Sequence, residues 1–134
     1  MKQPLEILLL DDEPVVGDRL KPALEKQGAR VETFVDPKLA RERIKSKDFD
    51  VIITDIRMGE INGIQILEWA MERSRRTKVI MITGYATMQL AREALTKGAF
   101  DFIAKPFKMK EVRSAIEKAA AALEAEDRKA KSGK

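Results

Sequence analysis

Residues 51–55 read VIITD: three branched aliphatic side chains, a threonine, and then a carboxylate. A continuously apolar run of this kind suits a strand buried on both faces, and burial of that kind should exclude an aspartate. The pattern recurs at 7–12, ILLLDD, where a more apolar run ends on two carboxylates. Three further runs, 30–35 (RVETFV), 79–83 (VIMIT) and 100–104 (FDFIA), bring the strand-like segments to five, near 5–10, 30–35, 51–54, 79–83 and 100–104.

Helical patterns fill the gaps. Val16, Leu20, Ala23 and Leu24 recur at helical spacing behind Pro14 and stop before Gly28, a proline entrance and a glycine exit. Asp36-Pro37 opens a second helix as a cap followed by a residue preset for helical φ. Ile64, Leu67 and Met71 mark a third, Met88, Ala91 and Leu95 a fourth that ends at Gly98, and Val112, Ile116 and Leu123 a fifth. Strands alternating with helices predict an α/β fold, a five-stranded parallel sheet with helices on both faces. The continuously apolar runs at 7–10, 51–54 and 79–83 belong in the centre, and the mixed VETFV and FDFIA belong at the edges. With right-handed crossovers this favours the order 2-1-3-4-5, which places a binding crevice at the carboxyl ends of strands one and three.

At 134 residues the chain is expected to form one domain over 1–123, followed by a charged, frayed segment at 124–134 (EAEDRKAKSGK), either a native tail or the start of a linker. There is no cysteine and no histidine, which excludes disulfides, thiolate metal sites and imidazole bases and leaves any metal to oxygen ligands. No leader pattern or stretch of ~20 apolar residues is present, so a cytoplasmic protein without membrane contact is expected. The net charge is +4, but acidic and basic residues interleave, and neither a recognition helix nor an aromatic platform supports direct nucleic-acid binding. The densest basic cluster, Arg73, Arg75 and Arg76, reads as a solvated helix end in preference to a phosphate patch.

In the expected strand order Asp11, Asp12 and Asp55 converge, and like charges that close destabilise the fold unless a cation joins them. Oxygen ligands in an open cleft suit Mg²⁺. Strand four ends on Thr83 and strand five on Lys105, which adds a hydroxyl and an ammonium and completes a set able to hold a phosphoryl group. With no Cys or His, a carboxylate is the best nucleophile available. Each residue also has a plainer role: Asp11-Asp12 could cap the first helix, Thr83 end a strand and Lys105-Pro106 make a turn. Independent solvation gives no reason for all of them to meet at one end of a sheet.

The motifs LLLDDE at 8–13, DIRMGEING at 55–63, MITGYA at 81–86 and AKPF at 104–107 resemble those of response regulator receiver domains, over about residues 5–123. The run at 83–107 is most similar to receivers of ATPase-driven transcription activators. The resemblance implies a flavodoxin-like fold, Asp55 as phosphoacceptor, and Mg²⁺ held by Asp11, Asp12, Asp55 and the backbone carbonyl of Arg57. It also implies Thr83 as the switching hydroxyl, Phe102 as the aromatic that changes rotamer with it, Lys105 as the phosphate contact, and a cis Lys105-Pro106 bond. The side chains of Arg57 and Tyr85 would tune dephosphorylation. The implied function is a phosphoacceptor switch in a two-component system rather than an enzyme with another substrate. Its partners would be a sensor histidine kinase and a downstream target or output domain, with a homodimer through helix four, strand five and helix five as a further possibility. Gly59 departs from the proline that relatives often carry there. Two alternatives remain: a binding module of the same fold that is never phosphorylated, and an aspartate-nucleophile phosphatase. The phosphatase would need an acid two residues after Asp55, where this chain has Arg57.

Overall fold

The computed structural model describes residues 3–57, 59–84 and 87–132. Its elements alternate throughout: β1 (Glu6–Leu10), α1 (Pro14–Lys26), β2 (Arg30–Phe34), α2 (Pro37–Ser46), β3 (Val51–Asp55), α3 (Gly63–Arg73), β4 (Lys78–Thr83), α4 (Met88–Thr96), β5 (Asp101–Ala104) and α5 (Met109–Ser132). The sheet order is β2-β1-β3-β4-β5, every pair is parallel, and the fold class expected from the sequence is the one observed. β1, β3 and β4 are buried along nearly their whole length, whereas β2 and β5 alternate or open to solvent as edges do.

Because side chains alternate across a sheet, the central strands feed two cores. Ile7, Leu9, Val51, Ile53, Ile80 and Ile82 face α1 and α5. Leu8, Leu10, Ile52, Val79 and Met81 face α2, α3 and α4. Edge strand β2 is covered by charge: Arg43 of α2 grips Glu32 through two bonds of 2.7 and 3.0 Å, and Lys47 bridges Glu32 and Glu6 at 2.9 Å each.

α2 begins where Asp36 accepts the Lys38 N–H. α3 begins with a reciprocal cap, Asn62 accepting from the Gln65 N–H and Gln65 from the Asn62 N–H. Two details differ from the periodic reading of the sequence. The buried face of α4 is Ala91 and Ala94, while Leu95 is exposed, because the helix lies close enough to the sheet that alanine fills the space. α5 continues through Ser132 where fraying is expected from the sequence. Arg76 holds it there, bonding Asp127 at 2.9 and 2.8 Å and Asp50 at 2.6 Å, and Lys78 pairs with Glu126. Arg73 likewise meets Asp48 and the Lys45 carbonyl, so two of the three arginines in the basic cluster tie elements together. Among the described residues no helix is long and apolar enough to cross a membrane.

Candidate functional site

β1 and β3 are hydrogen-bonded neighbours with Leu10 opposite Thr54, so the residues that end them emerge side by side. Carboxylate oxygens of Asp11, Asp12 and Asp55 lie within 4.8 Å of one another. Asp11 is almost fully buried, Asp55 partly buried and Asp12 exposed. Lys105, just past β5, reaches across to them: its Nζ is 3.1 Å from Asp11 Oδ2, 3.6 Å from Asp55 Oδ2 and 2.8 Å from Glu13 Oε1. No side chain caps α1; Asp11 Oδ1 instead accepts the Glu13 N–H at 2.9 Å, and the capping role open to these aspartates in the sequence is not the one they take.

The electrostatics follow from crowding. Burial pushes the Asp11 carboxyl up, with the Glu13 N–H and Lys105 offsetting part of the rise. Burial and then the Asp11 charge raise Asp55. Burial works against the Lys105 ammonium, yet Glu13, Asp11 and Asp55 together hold its pKa above the usual value. One ammonium therefore serves a site in which two carboxyls are still held away from easy ionisation. Asp11 Oδ2 is buried, and among the described residues the one partner it has is the Lys105 ammonium at 3.1 Å, which it shares with Glu13 and Asp55. Three carboxylates gathered around one shared ammonium, in a chain with neither cysteine nor histidine, leave negative charge in excess and form an all-oxygen donor set that fits a hard divalent cation.

The remaining residues lie around this cluster. Thr83 ends β4 fully buried, its hydroxyl 2.6 Å from that of Thr87. Phe102, half-buried on β5, packs against the core beneath α4 and borders a groove of about 560 Å³ between β5 and α5. Arg57 is exposed in the loop after β3. Tyr85 lies outside the described residues. The Lys105–Pro106 peptide is cis. Gly59 has φ of +81°, a conformation closed to proline, whose ring fixes φ near −65°. That accounts for the departure at this position, since the loop takes a turn that proline would forbid.

Two participants escape sequence reading. Glu13 looks like any acid at a helix start, and only the fold brings Lys105 to it. Thr87 looks like a helix cap, but its side chain makes no bond into α4.

Residues 7–117 match the model of the response regulator receiver domain. The chain belongs to that family. Among curated relatives this receiver is 36% identical over 113 residues to the regulatory protein AtoC of Escherichia coli, covering 84% of this chain and 24% of that protein. It is 32% identical over 109 residues to the response regulator protein PilR of Pseudomonas aeruginosa, covering 81% of this chain and 24% of that one. The receiver thus spans about a quarter of either relative's length. Among solved structures it is similar to a response regulator receiver domain protein from Clostridium thermocellum, with a TM-score of 0.82, 28% identity and coverage of 90% of this chain and 98% of that one. It is a receiver domain of the two-component response regulators, a family in which the phosphoacceptor role is general.

Proposed function

We propose that Asp55 accepts a phosphoryl group from the phosphohistidine of a sensor kinase, or from a small donor such as acetyl phosphate. A carboxylate oxygen of Asp55 attacks phosphorus, a P–O bond forms, the P–N bond breaks, and the electron pair leaves on the imidazole nitrogen, which takes up a proton. The observation that carries this reading is the convergence of Asp11, Asp12, Asp55 and Lys105 at the carboxyl end of the sheet. Mg²⁺, held by Asp11, Asp12, Asp55 and the Arg57 carbonyl, would supply positive charge for the oxygens of the transferring group. Lys105 is placed to exchange its carboxylate partners for a phosphoryl oxygen, a charge-assisted hydrogen bond.

Phosphorylation adds negative charge and strong acceptors beside Thr83. Its hydroxyl turns toward them, Phe102 changes rotamer with it, and the α4–β5–α5 face is remodelled for a target, an output domain or a second copy of the chain. The groove bordered by Phe102 and α5 supports that surface as the one that responds. A kinase donor places the protein in the cytoplasm. The side chain of Arg57, exposed near Asp55, and that of Tyr85 control water's approach to the acyl phosphate.

The reading is tested by intact mass after incubation with acetyl phosphate and Mg²⁺. A Mg²⁺-dependent phosphoryl adduct on the wild type and none on Asp55→Ala is expected. An adduct of equal yield on Asp55→Ala would refute the assignment. A wild type that takes neither phosphoryl nor beryllofluoride would favour the unphosphorylated binding module.

A further inference from the structure

The C-terminus of β4 offers two hydrogen-bond donors next to Asp55, the strands being paired so that Asp55 lies opposite Ile82. The donors are the Thr83 hydroxyl and the Gly84 N–H, which follow Ile82 directly. Both are engaged by one atom. Thr87 Oγ1 lies 2.6 Å from Thr83 Oγ1 and accepts the Gly84 N–H at 2.9 Å. Either hydroxyl can also donate to the Gly84 carbonyl, at 3.1 Å from Thr83 and 3.2 Å from Thr87, and the Thr87 N–H donates to it at 3.1 Å. Thr83 and Thr87 are both buried, so water is a poor substitute for these partners.

We propose that Thr87 is a positioning residue that sets the resting bias of the switch, sequestering the Thr83 hydroxyl and the Gly84 N–H until a phosphoryl group at Asp55 outcompetes it. This rests on the phosphoacceptor reading and deepens it. An anionic phosphoryl oxygen is a stronger acceptor than a hydroxyl, so the exchange runs toward the phosphorylated state once the charge arrives. Without the charge, the hydroxyl acceptor wins because it is already in place. Thr87 is suited to the task because its side chain makes no capping bond to α4, which leaves Oγ1 free to serve β4 alone.

The test is calorimetric titration of beryllofluoride, an acyl-phosphate mimic, in excess Mg²⁺, together with thermal unfolding of the unliganded proteins. Thr87→Val keeps the shape and removes the acceptor. It should melt at a lower temperature than the wild type yet bind beryllofluoride about two- to tenfold more tightly, the equivalent of one lost resting-state hydrogen bond. Thr87→Ser restores the hydroxyl and should restore wild-type affinity. In a Thr83→Val background the gain from Thr87→Val should shrink, because the hydroxyl pair is already broken. A residue with a purely structural role would lower stability and leave affinity unchanged or weaker; that result alongside tight wild-type binding overturns the role of Thr87 and leaves the phosphoacceptor reading standing. Absence of binding by every protein, wild type included, overturns both.

Discussion

Gly63, the first residue of α3, is where the packing leaves least room. A Cβ built there would lie 2.7 Å from the Asp55 carbonyl oxygen, 3.0 Å from Ile56 Cα and 3.1 Å from Met81 Sδ, and its own N–H donates to the Ile56 carbonyl at 2.7 Å. Two of the three obstacles are backbone atoms of β3 and its exit, so relief requires the loop to shift by roughly 0.7 Å to regain ordinary contact distances. Gly63→Ala therefore sets two effects against each other. Alanine gains up to about 1 kcal/mol from helix propensity and a stiffer unfolded chain. Overpacking against fixed backbone costs about 1–3 kcal/mol. Backbone obstacles cannot rotate away, which puts the cost toward the upper end of that range and leaves a net loss of about 1–2 kcal/mol, or a fall in Tm of about 3–10 °C for a domain of this size. Gly84→Ala is the control: nothing lies within 4 Å of its Cβ, and the change should be within about 0.5 kcal/mol of neutral. Thermal unfolding by circular dichroism reads both. A Gly63→Ala protein as stable as the wild type would refute the claim that the loop after Asp55 is clamped onto α3. If stability falls as expected, the displaced Asp55 carbonyl should also slow phosphorylation by acetyl phosphate relative to the wild type.

Asp55→Asn removes a carboxylate from a cluster in which burial and Asp11 already raise its pKa. Unliganded Asp55→Asn should therefore melt above the wild type at neutral pH, while losing most of the stabilisation by Mg²⁺, which for a site at 100 times Kd is worth about 2.7 kcal/mol. A wild-type Tm indifferent to Mg²⁺ would count against the cation site. The pH dependence has two arms of opposite sign. Asp11 and Asp55, with folded pKa values raised from 3.8, bind protons more tightly when folded, so their effect disfavours folding as pH rises through the window above 3.8. Glu32, lowered to about 2 first by Arg43 with Lys47 assisting, contributes stability present above 4.5 and lost as pH falls from 4.5 toward 2. Glu32→Gln should flatten the fall in Tm across that acid window, and an undiminished fall would show that the clasp on β2 contributes nothing measurable.

The fold was legible because burial writes itself into composition: ILLL, VIIT and VIMIT could only be central strands, and the charged letters of VETFV marked an edge that Arg43 and Lys47 then cover. The acidic site was legible for the complementary reason, since Asp11 and Asp55 contradict the runs they end. What the sequence hid depends on distances that only a folded chain sets. Ala91 and Ala94 are small enough to let α4 approach the sheet, and periodicity gives no measure of that approach, so Leu95 looked like a core residue. The last turns of α5 looked frayed because Asp127 and Glu126 have partners about fifty residues away, Arg76 and Lys78. Thr87 meets the Thr83 hydroxyl only in the folded chain, and a helix-start threonine carries no mark of that.

The α5 rod has a mechanical consequence. Its 24 residues extend about 36 Å at 1.5 Å per residue. It starts four residues after Lys105, beside the acidic cluster at the carboxyl end of the sheet, and runs to the opposite end, where Arg76 grips Asp127. Between these points Val112, Ile116 and Leu123 seat it on the sheet. A body supported in this way is a lever. A tilt of about 5° pivoting at the Lys105 end would displace the far end by about 3 Å over that length, a motion that the Arg76 clasp on Asp127 opposes.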